Sequence, residues 1–345
     1  MRITTLFLLT IALAVGGCGK KDKDKNKDGD KTTKPATDKA KPATDKAKPA
    51  TDKAKPATDK AKPAADMPKP KVENKDGVIT VTEAGLATPE SVLWDRDEDV
   101  YLVSNINGKP TEADGNGFIS KFAPDGLLVA HKWIDGAKDG VTLNAPKGMA
   151  LTKDTLWVAD VTHVRMFDRK TGAPKGEIEL PGATFANDVV AHGEKVWVSD
   201  SGLKADFSPS GTAAIWAIEN GAATAIKDEK FGQPNGLVVT EDGTLYVNTW
   251  DNSKIWSIDA KGKAKTAIEV GKKQLDGLAL INDSVFLVTS WEAKTLFAGS
   301  DDGPFEIIAD NLESPADIAY DEKRMRAIVP LFTKDTLVFQ PVKGL

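Results

Sequence analysis

Cysteine is almost absent from this 345-residue chain; the single one is Cys18. Everything after it therefore lacks a disulfide framework, a cysteine-rich zinc site and a thiol nucleophile. Histidine is scarce as well, and His131, His163 and His192 lie far apart with no metal-ligand spacing, so they read as surface or turn residues. No Gly-x-Ser-x-Gly elbow, no phosphate-cradling glycine-lysine loop and no His-Glu-x-x-His helix occurs, which argues against a serine hydrolase, a nucleotide hydrolase and a zinc protease. Long apolar runs are also missing. The only candidate, Ile3 to Val15, falls short of the ~20 residues that a spanning helix needs.

Charge divides the chain in two. Residues 1–71 carry 18 Lys/Arg against 9 Asp/Glu, whereas residues 72–345 carry 28 against 42. An acidic body argues against nucleic acid as the main ligand, because affinity for phosphates comes largely from cationic side chains.

Arg2, the apolar run and the small residues Gly16 and Gly17 read as a signal peptide over residues 1–17. Val15-Gly16-Gly17-Cys18 resembles a bacterial lipobox, which implies lipidation of Cys18 and a lipid-anchored place in the cell envelope; Gly19 in place of Asp implies the outer membrane. Residues 18–71 then form a linker in which Lys-Pro-Ala-Thr-Asp-Lys-Ala starts at Lys34, Lys41, Lys48 and Lys55 and decays at Lys62. Such a composition cannot bury a core, and it would extend up to ~160 Å at a polyproline rise of ~3.1 Å. Within it, Asp24 to Asp30 imitates the first half of a calcium loop, but Pro35 stands where the bidentate Glu belongs and no helix flanks it, so it reads as a solvated charge run.

From Gly77 onward the chain repeats six times, about 45 residues per copy. Each copy opens on a small or turn residue, a variable residue and an apolar strand: Pro89-Glu90-Ser91-Val92, Pro146-Lys147-Gly148-Met149, Ala186-Asn187-Asp188-Val189, Pro234-Asn235-Gly236-Leu237, Leu275-Asp276-Gly277-Leu278 and Pro315-Ala316-Asp317-Ile318. About ten residues later comes a strand with an aromatic at its second position (Tyr101, Trp157, Trp197, Tyr246, Phe286), from which the sixth copy departs at Met325-Arg326-Ala327. Short strands without helical periodicity predict an all-β, six-bladed β-propeller over residues 72–345. The last copy lacks room for a fourth strand, so the orphan Gly77–Thr82 strand is expected to complete it and close the ring. The repeated aromatics are expected to pack blade against blade.

In a propeller, one residue at the entry of each innermost strand recurs around the central channel. Here that ring is Glu90, Lys147, Asn187, Asn235, Asp276 and Ala316. Four oxygen donors without Cys or His suit a hard cation, calcium first, with magnesium or zinc as alternatives. The same polar residues would equally solvate a wet channel and bond neighbouring backbone.

At these positions the sequence resembles the senescence-marker-protein/gluconolactonase (regucalcin-like) family of six-bladed propellers, and more distantly the NHL-repeat propellers, which bind no metal. The resemblance covers roughly residues 80–341. It implies that Glu90, Asn187, Asn235 and Asp276 hold a divalent cation, with Asp276 also the catalytic base. Two departures stand out. Phe185 occupies the position two before the third-blade Asn where family members often place a basic residue that holds the sugar, and Lys147 inserts an ammonium into the ring. Lys147 would then orient a substrate or stabilise an oxyanion, or it would replace the metal by neutralising Glu90 and Asp276.

The function this implies is a metal-dependent hydrolase of a sugar lactone or similar small ester, with Asp276 and Lys147 catalytic and Asn187 and Lys147 binding a small-molecule substrate. The chain is expected to be a monomer that meets the membrane only through its anchor. The alternative is a non-catalytic propeller that binds a protein or glycan through the loops Asn105–Gly117 and Ser201–Gly211. Asp160 and Asp200, at equivalent strand ends, are expected to bond the turn that follows and to serve stability.

Overall fold

The computed structural model describes residues 67–259 and 261–344. The signal peptide, Cys18, the calcium-loop-like run and most of the linker lie outside the described residues. The described chain forms six antiparallel sheets, five of four strands and one of five. This is a six-bladed β-propeller.

Blade one begins at Pro89–Asp95, blade two at Pro146–Leu151, blade three at Ala186–His192, blade four at Pro234–Val239 and blade five at Leu275–Asn282. In each, three further strands run outward in chain order. Blade six is assembled from both ends of the described chain: Ala319–Asp321, Arg326–Leu331 and Thr336–Pro341 are followed outward by Val78–Thr82, whose Ile79, Thr80 and Val81 pair with Phe339, Val338 and Leu337. The closing strand expected from the sequence is therefore in place. A fifth strand, Lys71–Lys75, joins it through a two-residue hairpin at Asp76-Gly77. Both turn residues have positive φ (54° and 87°), which matches the twist of tight hairpins and favours Asp-Gly.

The core lies between blades as well as within them. Leu102, Ile119 and Ile134 of blade one form one cluster with Met149, Leu156, Val158 and Phe167 of blade two. The repeated aromatics belong to this packing: Tyr101 and Phe286 are buried in it, and Trp157, Trp197 and Tyr246 pack against it half-buried. The sixth copy departs for a visible reason. Arg326 takes the aromatic column and lays its guanidinium over Tyr101 and Phe339, 5.5 and 4.8 Å from the ring centroids.

The innermost strands are irregular at the positions that matter. In blades one to five the register with the second strand slips between the first residue and the fourth, as between Pro89 and Val92 or Pro234 and Leu237. The two residues in that bulge leave the ladder and turn toward the channel. Their freed backbone groups are met by a polar side chain of the second strand. Ser104 accepts the Ser91 N–H (2.9 Å), Ser199 that of Asp188 (2.9 Å), Asn248 that of Gly236 (2.9 Å) and Thr289 that of Gly277 (2.8 Å). Three of these then donate to the next blade, Ser199 to Asn235 O, Asn248 to Asp276 O and Thr289 to Ala316 O. The blades are thus tied together at the height of the ring.

Candidate functional site

The bulges deliver Glu90, Lys147, Asn187, Asn235 and Asp276 to the floor of one cavity of about 370 Å³, and all five side chains are buried. Ala316, the sixth ring position, is fully buried and does not line it. The expected ring is therefore assembled on five blades. Closeness of the next blade explains the glycine after Lys147: a Cβ on Gly148 would stand 2.2 Å from Asp188 Oδ1 and 2.5 Å from its Cα.

Glu90 and Asp276 each leave one carboxylate oxygen, Oε2 and Oδ1, buried without a hydrogen-bond partner. Burial and the neighbouring charges of Asp276 and Asp317 push the Glu90 carboxyl well above its usual range. Burial, then Asp317, pushes Asp276 up to about 8. Trp291 and Asn235 stand near enough to pull it partly back, yet the Trp291 indole N–H makes no hydrogen bond. Asn187 donates to Ser201 Oγ (3.0 Å) and to Asn235 Oδ1 (2.7 Å), which joins the two carboxamides across blades three and four.

Lys147 does not ion-pair with the acids. Its ammonium donates to Pro110 O (2.9 Å) and Ala145 O (3.1 Å) and lies 4.6 Å from the centroid of the Phe185 ring. An ammonium carries three donors, so one N–H remains beside the cavity. Burial lowers Lys147 to about 8, with Glu90 opposing the drop. The cation missing at Phe185 is thus supplied to that ring's face from blade two.

Sequence reasoning missed the neighbouring layer and the walls. Asp188 and Asp317, one residue past the ring on opposite blades, are buried and face the channel; burial raises both, Asp188 further by the charge of Asp317 and Asp317 itself to about 6. Backbone N–H groups of Val189 and Leu237 bind Asp188, and Ser91 Oγ (2.5 Å) and the Ile318 N–H bind Asp317. The walls are Ile106, Pro110, Phe185, Leu203, Phe207, Trp250, Trp291 and Phe332. Ile106, Trp250, Trp291 and Phe332 each follow directly on the end of a second strand. Aligning the six copies one residue beyond that strand would have exposed the pattern.

Asp200 bonds the turn that follows, as expected, but Asp160 does not, and both also bind the segment that leads into their blades. Asp160 binds the segment leading into its blade, the N–H groups of Asn144 (3.0 Å) and Ala145 (2.8 Å), and Arg165 Nε (2.8 Å). Asp200 likewise accepts from Phe185 N (2.8 Å) and from Gly202 N (3.0 Å) in the turn that follows. They brace the entry of the innermost strands, because the second-strand end pairs with the residue just before the ring.

Among solved structures, a gluconolactonase from Xanthomonas campestris superposes with a TM-score of 0.58 at 14% identity, covering 80% of this chain and 95% of that one. The chain shares its fold with that gluconolactonase. Virginiamycin B lyase from Staphylococcus aureus is also similar (TM-score 0.52, 16% identity, 80% and 96% covered), as is a streptogramin B lyase (0.54, 11%, 79% and 97%). At these identities the likeness is one of fold. No family model and no curated protein matches the chain.

Proposed function

We propose that this propeller is a divalent-cation-dependent hydrolase of a lactone or similar small ester, anchored in the cell envelope through Cys18. The observation that carries the reading is the pair of buried, unpartnered oxygens, Glu90 Oε2 and Asp276 Oδ1, on one cavity floor. A buried acceptor without a donor is strongly disfavoured unless something binds it. Two such carboxylates beside two carboxamides suit a hard cation, calcium first and magnesium or zinc second. Glu90, Asn235 and Asp276 would hold it, with Asn187 completing the set. A bound cation supplies Lewis acidity toward the ester carbonyl and a water that is easily deprotonated.

The chain's own groups do the rest. Asp276 accepts the proton of the attacking water at the carboxylate oxygen that the cation leaves free. Lys147, fixed by two carbonyls and a ring face, offers its remaining N–H to the oxyanion that develops on the carbonyl oxygen. The alternative of Lys147 as a substitute for the cation is disfavoured by its bonds, which go to carbonyls rather than to Glu90 or Asp276. The loops around Pro110 and Phe207, the basis of the binding-propeller reading, line the cavity.

A calorimetric calcium titration of the chelator-stripped protein, beside Asn235→Ala, tests the reading. Saturable one-to-one binding that the variant loses supports it; absence of binding by the parent overturns it.

A further inference from the structure

The polar atoms of the cavity are concentrated on its floor, with Gln274 the only other polar side chain of the lining among the described residues. Above the floor the lining is mostly apolar surface from five blades, with the unpartnered Trp291 indole N–H among its few polar atoms. Ile106 and Pro110 come from blade one, Phe185, Leu203 and Phe207 from blade three, and Trp250, Trp291 and Phe332 from blades four, five and six. The last three form a continuous aromatic wall, Trp250 on Trp291 at 5.4 Å and Trp291 on Phe332 at 5.2 Å between centroids. Phe207 faces Phe185 at 6.2 Å and is 53% exposed, an apolar side chain held out at the tip of its loop. That tip is built rather than loose: Phe207 N donates to Lys204 O (2.9 Å), Ser210 N to Gly202 O (2.7 Å), and Leu203 pairs with Pro209.

We propose, resting on the hydrolase reading above, that the substrate carries its lactone or ester group on an alkyl or aryl arm, and that Phe207 and Trp250 select for that arm. A polyhydroxylated sugar ring would find polar partners only on the floor and would meet mainly aromatic or aliphatic carbon above it. Each hydroxyl buried there without a partner gives up its hydrogen bonds to water and is disfavoured. A hydrocarbon arm gives up no hydrogen bonds by leaving water and gains in proportion to the apolar surface it buries. The volume, about 370 Å³, lies toward the small end of ligand cavities and suits a single ring with a short arm. The floor then receives the carbonyl, and the walls receive the arm.

The probes are δ-decalactone, a lactone ring with an alkyl chain, and glucono-δ-lactone. Both are titrated by calorimetry into the full chain with calcium present, and both are assayed for hydrolysis. The expected result is saturable binding and turnover of δ-decalactone, with KM raised about tenfold by Phe207→Ala or by Trp250→Ala, while kcat and calcium affinity stay near those of the parent. Preferential binding and turnover of glucono-δ-lactone would overturn the inference and leave the hydrolase reading standing. Binding of δ-decalactone that Trp250→Ala weakens, without hydrolysis of either probe, would keep the apolar-arm assignment and remove the hydrolase. Failure of both probes to bind overturns the inference.

Discussion

Two sets of buried carboxylates occur in this propeller, and they are built to opposite ends. Asp160 and Asp321 are completely buried and surrounded by donors: Asp160 by two backbone N–H groups, the Asn144 amide and Arg165, Asp321 by Tyr101, Arg324 and the Arg324 backbone N–H. Glu90 and Asp276 are nearly as buried, yet each keeps an oxygen with no donor. Burial is common to both sets. What separates a brace from a candidate ligand is an unmet acceptor on the cavity floor: Asp200, a brace, also keeps its Oδ2 without a partner, but it does not line the cavity.

The comparison can be broken from either side. Asp160→Ala should be the most damaging change, about 3–5 kcal/mol of stability by denaturant unfolding, because it leaves the Asn144 and Ala145 N–H groups without an acceptor and the buried Arg165 with Glu177 as its one remaining acidic partner. Asp276→Asn should behave in the opposite way. Calcium binding and turnover should fall by about 10²-fold or more, while the melting temperature of the chelated protein holds or rises, since a charge near Glu90 and Asp317 is gone. A chelated Asp276→Asn protein that melts well below the parent would place Asp276 among the braces.

The pH dependence sharpens the same contrast. Asp276 and Asp317 titrate higher folded than unfolded, at about 8 and about 6 against the ordinary 3.8 of an aspartate. Across that window the folded state binds more protons than the unfolded one, so stability is full at about pH 4 and declines as pH rises toward 8. Chelated protein should therefore melt lower at pH 8 than at pH 5, and saturating calcium should remove much of the difference. A flat profile would contradict it. The smallest effect is on the brace side: Tyr101→Phe, which deletes the hydroxyl shared by Asp321 and Arg326, should cost about 1–2 kcal/mol and leave calcium affinity untouched.

The ring was legible because six aligned copies make one variable column stand out against its monotonous neighbours. Glu90, Lys147, Asn187, Asn235 and Asp276 are where that column puts them. The blade count and the closing strand followed from the same repeat. Other features were not legible, for separable reasons. Asp188 and Asp317 hid because Gly, Ser and Asp share their column, and only the bulge turns two successive residues toward the channel. Trp250, Trp291 and Phe332 looked like scattered loop aromatics until strand ends fixed a register. Lys147 was visible as a charge, but its partners, Pro110 O and the Phe185 ring, come from a loop and a neighbouring blade that spacing does not relate. The Lys71–Lys75 strand starts at the last residue read as linker and was not legible as a strand, because its pairing is decided by the Asp76-Gly77 turn.

That added strand has a mechanical consequence. It lies outermost on the blade that closes the ring, paired from Lys71 against Thr82 to Lys75 against Val78. A pull arriving through the residues before Lys71 loads the open end of a hairpin, so its hydrogen bonds break in succession instead of all at once. Such a strand would yield at low force and re-zip when the load is released, sparing the Val78–Thr82 seam that holds the ring shut. Under the proposed anchorage through Cys18, this hairpin would act as a small shock absorber for the propeller.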